Sequence, residues 1–281
     1  MIDLKPKICP ITGDTKSNLV FSYDLPPPDE IGFLRSSEEP YLREVWQFSP
    51  GGHFLSLHEM KVGTEYDGAY MDATYKDFET MKATFSRIVG LKSENSDNFG
   101  RINGIIDFAT SWFSSNKQPN LLDVGSGLGV FPHSVKEIGW QCTAIDPDKR
   151  AIKHLNESIG VSSICGDFIA IKPIKKFDIV TINKVLEHVP NPIEMLAKSL
   201  EWIKSDGFVY IEVPDGEVAS TFGPNREEFF IEHLHIFSLA STVILAQRSG
   251  FFVESISRIC EPSGKYTLRA FLSPNRVKLT G

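Results

Sequence analysis

"NLLDVGSGLGVFPHSVKEIGWQCTAIDPDK", residues 120–149, sets a short apolar run ahead of three glycines at alternate positions, Gly125, Gly127 and Gly129, and follows them with a helical pattern. Glycine permits positive φ and lets main-chain N–H groups approach a ligand with no Cβ in the way. In an open α/β sheet the first strand-to-helix turn is the usual cofactor loop, because ligands bind beyond the carboxyl ends of the strands. Leu128, Phe131, Val135 and Ile138 then predict an apolar stripe on a helix over 129–139. Pro132 is tolerated in its first turn, where N–H groups have no helical partner.

Outward from that loop, apolar runs alternate with amphipathic segments in the rhythm of βαβ units. The runs are 121–124, 141–146, 162–165, 177–182 and 207–213, with helices predicted over 148–159, 191–204 and 238–249. "FFVESISRI" (251–259) and "YTLRAFLS" (266–273) close the chain as an antiparallel pair at the sheet edge. The fold class is therefore α/β, a Rossmann-like parallel sheet closing with an antiparallel pair.

Residues 1–113 read differently, as an α+β extension. "DLPPPDE" is stiff and turn-rich, and "EVWQFSPGGHFLSLHEM" offers two strands joined by Ser-Pro-Gly-Gly, a hairpin. Helices are predicted over 77–90 and 99–114, the second burying Ile102, Ile105, Ile106, Ala109 and Phe113 on one face. Two units follow: 1–113, covering the substrate, and 114–281, binding the cofactor.

The formal net charge of -7 and pI near 5.6 argue against non-specific nucleic-acid or anionic-membrane binding, which need a positive field. No stretch approaches the roughly 20 apolar residues of a membrane helix, and the first residues lack a secretory apolar core, so a cytoplasmic protein is expected. Cys9, Cys142, Cys165 and Cys260 form no Cys-x-x-Cys pair, which fits reduced thiols rather than a disulfide framework or zinc site.

The glycine spacing departs from the dinucleotide fingerprint, whose third glycine falls here on Val130, and no Walker Lys-Ser or Lys-Thr follows. The carboxylates discriminate further. Asp146, ending the second strand, can take both hydroxyls of an adenosine ribose. Asp123, just before the loop, would repel a pyrophosphate but suits an ammonium. S-adenosylmethionine (SAM) joins an amino acid to adenosine and has that charge pattern.

Over about residues 118–215 the sequence resembles the class I SAM-dependent methyltransferases. "LLDVGSGLG" is similar to their first motif, "AIDPD" to the acidic turn after the second strand, "CGDF" to the third-strand loop and "ITINKVLEHVPNP" to the fourth-strand motif. The resemblance implies SAM as cofactor, held by Asp123, Gly125, Ser126, Gly127, Gly129, Asp146, Pro147, Asp167, Phe168 and Asn183. Asp167 would meet the adenine amino group. "VGTEYDGAYMDATY" resembles a tyrosine-rich cap in glycan-related methyltransferases, which makes Tyr66, Tyr70 and Tyr75 candidates to cover the cofactor, or simply to pack a junction.

Methyl transfer needs a group to take a proton from the acceptor, and a histidine or a carboxylate is the usual base. His188 follows the fourth strand beside Glu187. In ubiquinone-biosynthesis methyltransferases a similar Glu-x-x-Glu-His stretch is linked to metal; here Lys184 stands in the first place, so no metal is expected. "EHLHIFS" resembles the Glu-His-x-x-x-Phe-Ser segment of sugar-nucleotide C-methyltransferases, making Glu232, His233 and His235 base candidates. "CPITG" is a faint echo of their zinc ribbon, with Thr12 where a second cysteine would stand. Arg101 could meet an anionic substrate group or a surface ion pair.

The expected activity is methyl transfer to a small polar or anionic acceptor, a nucleotide sugar or surface-glycan intermediate. The alternatives are O-methylation of a quinone-like or phenolic molecule and a catalytically silent binding module. An NAD-linked oxidoreductase is disfavoured by Asp123 and the missing glycine.

Overall fold

The computed structural model describes residues 5–30, 41–58, 77–114 and 117–275. Its larger sheet is built from β4 (Asn120–Val124), β5 (Gln141–Asp146), β6 (Ser162–Cys165), β7 (Phe177–Asn183), β8 (Ile203–Pro214), β10 (Phe251–Cys260) and β11 (Tyr266–Pro274). Their spatial order is β10-β11-β8-β7-β4-β5-β6. The chain leaves β4 toward β5 and β6, then crosses to β7 on the other side, so order reverses between β4 and β7. Ligands of open α/β sheets bind at such a switch point.

β6, β5, β4, β7 and β8 pair in parallel. β11 pairs antiparallel with both β8 and β10. The terminal hairpin is thus as its sequence predicts, with the finer result that β11 alone runs against the sheet and β10 forms the edge. Burial explains the patterns: six of the seven residues in "FDIVTIN" of β7 are buried, as a central strand covered on both faces requires, whereas β10 is largely exposed.

Helices α1 (Phe78–Val89), α2 (Asp97–Trp112), α3 (Val130–Glu137), α4 (Lys149–His154), α5 (Pro192–Trp202), α6 (Gly216–Ala219) and α7 (Leu239–Arg248) occupy the segments between. Ile102, Ile105 and Ala109 of α2 are buried on the sheet with Phe131 and Val135 of α3, and Ile106 and Phe113 pack against them. Ile138 is 37% exposed and does not join the stripe predicted for it; it follows the last turn of α3, where the chain is already leaving the sheet.

A second, antiparallel sheet has the order β1-β2-β3-β9. β2 (Arg43–Ser49) and β3 (Phe54–His58) form the predicted hairpin, and β1 (Lys16–Tyr23) flanks it. The fourth strand, β9 (His235–Ile236), comes from the far end of the sequence and pairs with Phe54 and Leu55. Phe54 is fully buried among Val45, Phe229 and Ile236. A Cβ on Gly216 would approach its ring to 2.6 Å, so glycine is what admits the ring against α6.

At the start of the described chain, Cys9 to Asp14 close a tight turn: Cys9 N–H donates to Asp14 O at 2.8 Å and Gly13 N–H to Cys9 O at 3.0 Å. The Cys9 thiol is 1% exposed, accepts from Thr12 N–H at 3.3 Å, and packs with Ile11 and Phe48 in the main core. Among the described residues no helix is long and apolar enough to cross a membrane.

Phe54→Ala should cost about 3–5 kcal/mol and shift a single urea transition to lower concentration. A separate early transition would show that the small sheet unfolds by itself.

Candidate functional site

Gly125, Gly127 and Gly129 all have positive φ, at 71°, 47° and 71°, but they serve different ends. A Cβ at Gly125 would lie 2.6 Å from Val185 Cγ2, and one at Gly129 would lie 2.4 Å from Ile159 Cδ1. Those two glycines let the loop pack against the exit of β7 and the helix after β5. A Cβ at Gly127 would meet nothing within 4 Å. Gly127 is the one that faces open space, where a ligand can approach the main chain.

Asp146 is 7% exposed. Its Oδ2 accepts from Gly127 N–H at 2.8 Å and its Oδ1 from Asp148 N–H at 2.9 Å, which aims the carboxylate into that space. Each oxygen keeps a second lone pair for a hydroxyl. Asp123, 2% exposed, accepts at Oδ1 from Thr181 Oγ1 at 2.7 Å and from Asn183 Nδ2 at 2.8 Å. Burial pushes both carboxyls up to about 6, a shift that a bound ammonium would reverse for Asp123. The buried Oδ1 of Asn183 has no hydrogen-bond partner among the described residues, one more acceptor left for a ligand.

Asp167 is exposed beyond β6, and Pro147 is half-buried at the turn after β5. The Ser126 hydroxyl is turned inward, donating to Asp123 O at 3.1 Å. Phe168 is not brought to the cleft: its ring stacks on Trp202 in the core, with centroids 5.7 Å apart. Tyr66, Tyr70 and Tyr75 lie outside the described residues.

Past Asn183 the chain turns sharply. Lys184 has φ 54°, alone among the described non-glycine residues in being positive, and its N–H donates to Glu212 O at 3.0 Å. A left-handed lysine costs about 1–2 kcal/mol, and the turn throws Lys184, Glu187 and His188 toward one cavity of about 560 Å³. Asp29, Arg226, Glu232, His233 and Lys265 line it as well.

Glu187 O accepts from both Leu234 N–H and His235 N–H, at 2.8 and 3.1 Å, stitching the loop after β7 to the segment carrying Glu232 and His233. The His188 and His233 ring centroids lie 4.9 Å apart. Burial holds His188 down at about 4 and His233 well below the usual imidazole range, so both rings are neutral at pH 7. Burial also pushes Glu187 up to about 8 and Glu232 up to about 7. One buried carboxyl oxygen of each, Glu187 Oε2 and Glu232 Oε2, has no hydrogen-bond partner among the described residues.

His235 is not brought to this cavity. It is 2% exposed in β9, and its Nδ1 lies 3.1 Å from Nε2 of the fully buried His53. Arg101 pairs with the buried Glu212 at 2.5 Å rather than with a surface carboxylate. Sequence reasoning had set a metal aside because of Lys184. The fold supplies a third group from a distant loop, so Glu187, His188 and His233 have potential ligand atoms within 4.8 Å of one another.

The methyltransferase domain family matches residues 94–256, more than half of the chain. The chain belongs to that family, and its seven-stranded sheet is the Rossmann-like fold of class I SAM-dependent methyltransferases. Among curated relatives, the ubiquinone biosynthesis O-methyltransferase of Nitrosospira multiformis is 34% identical over 98 residues, 32% of this chain and 41% of that protein. The enzyme of the same name from Shewanella halifaxensis is 29% identical over 141 residues, 47% of this chain and 58% of that one. The chain thus spans about half the length of the curated relatives it matches. The magnesium protoporphyrin IX methyltransferase of Synechocystis, crystallised with bound S-adenosylhomocysteine, superposes with a TM-score of 0.52 at 11% identity, covering 72% of this chain and 98% of that one. That likeness is one of fold.

Gly127→Ala and Gly129→Ala should separate in urea unfolding. Both carry the left-handed cost of about 1–2 kcal/mol. Gly129→Ala adds an overpacking cost of about 1–3 kcal/mol, so it should be clearly the less stable variant. Equal losses would sink the distinction between a packing glycine and a ligand-facing one.

Proposed function

We propose that the protein transfers the methyl group of SAM to a small polar acceptor held in the 560 Å³ cavity. The observation that carries the polar acceptor is that Glu187 and Glu232, which line the cavity, each keep a buried carboxyl oxygen, Oε2, without a hydrogen-bond partner among the described residues. Buried polar atoms are nearly always hydrogen-bonded, and an acceptor rich in hydroxyls supplies the missing donors. A nucleotide-linked sugar or glycan intermediate has that chemistry.

The residues fit SAM at its two ends. Asp146 and the exposed main chain at Gly127 receive the ribose hydroxyls, Asp167 the adenine amino group, and Asp123 with Asn183 the amino-acid portion. Bound there, SAM supplies an electrophilic methyl on a sulfonium. The protein's own contribution is positional: Asn183 touches Asp123, the next residue lines the acceptor cavity, and the two sites are therefore adjoining. Holding nucleophile and methyl in near-attack geometry supplies much of the acceleration in such a displacement. Glu232, His188 and His233 are the groups within the cavity that can take the acceptor's proton. His235 is better read as a buried support, given its His53 partner.

A second reading is O-methylation of a quinone-like or phenolic acceptor. It is favoured by the named activity of the curated relatives and by the spacing of Glu187, His188 and His233. Against it, five carboxylates, Asp29, Glu187, Glu227, Glu228 and Glu232, line the cavity with Lys184, Arg226 and Lys265 among them, beside Pro214, Phe230 and Tyr266.

Calorimetry should show micromolar binding of SAM and S-adenosylhomocysteine and none of NAD, with Asp146→Ala losing more than about 1.4 kcal/mol, a tenfold weakening. A folded wild type that bound neither would point to a binding module. Given binding, methyl transfer to a uridine-diphosphate sugar in the presence of chelator is expected. Transfer to a catechol, lost on chelation, would favour the second reading.

A further inference from the structure

Two backbone carbonyls of the segment 228–233 decide which nitrogen of two histidines carries the proton. Glu228 O lies 2.9 Å from His233 Nδ1, and Glu232 O lies 2.9 Å from His188 Nδ1. A carbonyl only accepts, so each ring must be protonated on Nδ1 and must carry its lone pair on Nε2. Both histidines line the acceptor cavity.

The backbone between those carbonyls is gripped from the other side by a buried ion pair. Arg43 Nη1 donates to Phe229 O, and Glu30 Oε1 accepts from Ile231 N–H at 2.8 Å. Arg43 Nη2 and Glu30 Oε1 are 3.3 Å apart, with side-chain exposures of 0% and 3%. Tyr41 completes the cluster, donating its hydroxyl to Glu30 Oε2 at 2.6 Å and accepting from Arg43 Nε at 3.0 Å. Tyr23 lies under the guanidinium at 4.0 Å and donates to Pro224 O at 2.8 Å.

Glu228 and Phe229 belong to a short 3-10 turn over Glu227–Phe229, and from Phe230 to Leu234 the chain is neither helix nor strand, so no regular ladder fixes the direction of the Glu232 carbonyl. A buried ion pair is a weak source of stability, because desolvating both charges offsets their attraction. What such a pair does supply is a fixed register for the groups it bonds.

We propose that the Arg43–Glu30 pair is a positioning device that locks the Nδ1–H tautomer of His188 and His233, so that His233 presents an Nε2 lone pair to the methyl acceptor. The role toward an acceptor rests on the reading of the cavity given above; the tautomer lock does not.

Long-range imidazole ¹H–¹⁵N spectra of histidine-labelled full-length protein test it, with signals assigned through His188→Gln and His233→Gln. The wild type is expected to show both rings in one tautomer, and Arg43→Met to lose that single-tautomer signature for at least one of them. Arg43→Lys, which keeps a donor, should restore it in part. Because Arg43→Met removes the cationic partner of Glu30, a double variant with Glu30→Gln is read alongside, and it should show the same loss while folded. If either folded variant kept both rings in the wild-type tautomer, the proposal would be overturned, since a merely structural pair would lower the melting temperature and leave the tautomers untouched. SAM binding is measured on the same samples: its absence from the wild type would count against the methyltransferase reading and leave the tautomer result standing.

Discussion

The carbonyl of Glu187 accepts two main-chain N–H groups, from Leu234 and His235, and the acceptor side of the molecule depends on it. Through those bonds the loop leaving β7 is tied to a segment that arrives some fifty residues later. That segment ends in β9, which is the last strand of the small sheet. The cavity is therefore lined by the loop after β7 and the long excursion after β8, with the Glu187 carbonyl where the two meet, and the excursion is backed by a third part, the N-terminal hairpin. Ser56 N–H donates to Leu234 O at 3.0 Å and brings in the third.

Charge is distributed unequally across this junction. On the cofactor side, Asp123 and Asp146 are buried with few compensating cations, which raises both. On the other side of β8, Glu212 is met by Arg101 and Arg269, and by the hydroxyl of Tyr210. Burial alone would raise its carboxyl, but the charged partners win and hold it down at about 2. One carboxylate is thus consumed in structure while its neighbours stay open for ligands. The contrast lies in the number of guanidinium partners, not in burial, which all three share.

Much of this was legible along the chain. The parallel strands announce themselves as uninterrupted apolar runs because both faces of a central strand are covered, and the glycine loop with Asp123 and Asp146 follows from local spacing. β1 was not legible, since "KSNLVFSY" lies at a sheet edge, largely exposed, and shows no clean alternation. β9 is two residues long and exists only because β3 offers it an edge. β8 begins earlier than its apolar run because α5 passes directly into it at Ile203. Phe168 follows the motif's Asp167, yet its ring turns to Trp202, a contact no local pattern encodes. His233 joining Glu187 and His188 is likewise a long-range event that no local pattern encodes.

In the turn from Cys9 to Asp14, where the sequence faintly echoes one half of a zinc ribbon, the thiol is a core atom and the second position is a threonine. Thr12 bonds Asp14 through its hydroxyl at 2.7 Å, and Arg248 of α7 ties Ile11 O at 2.7 Å. Ordinary packing and hydrogen bonds now hold what thiolate coordination holds elsewhere. A ribbon built that way must acquire an ion to fold and comes apart when its sulfurs oxidise. Here the Cys9 thiol is shielded from solvent, which keeps oxidants from reaching it.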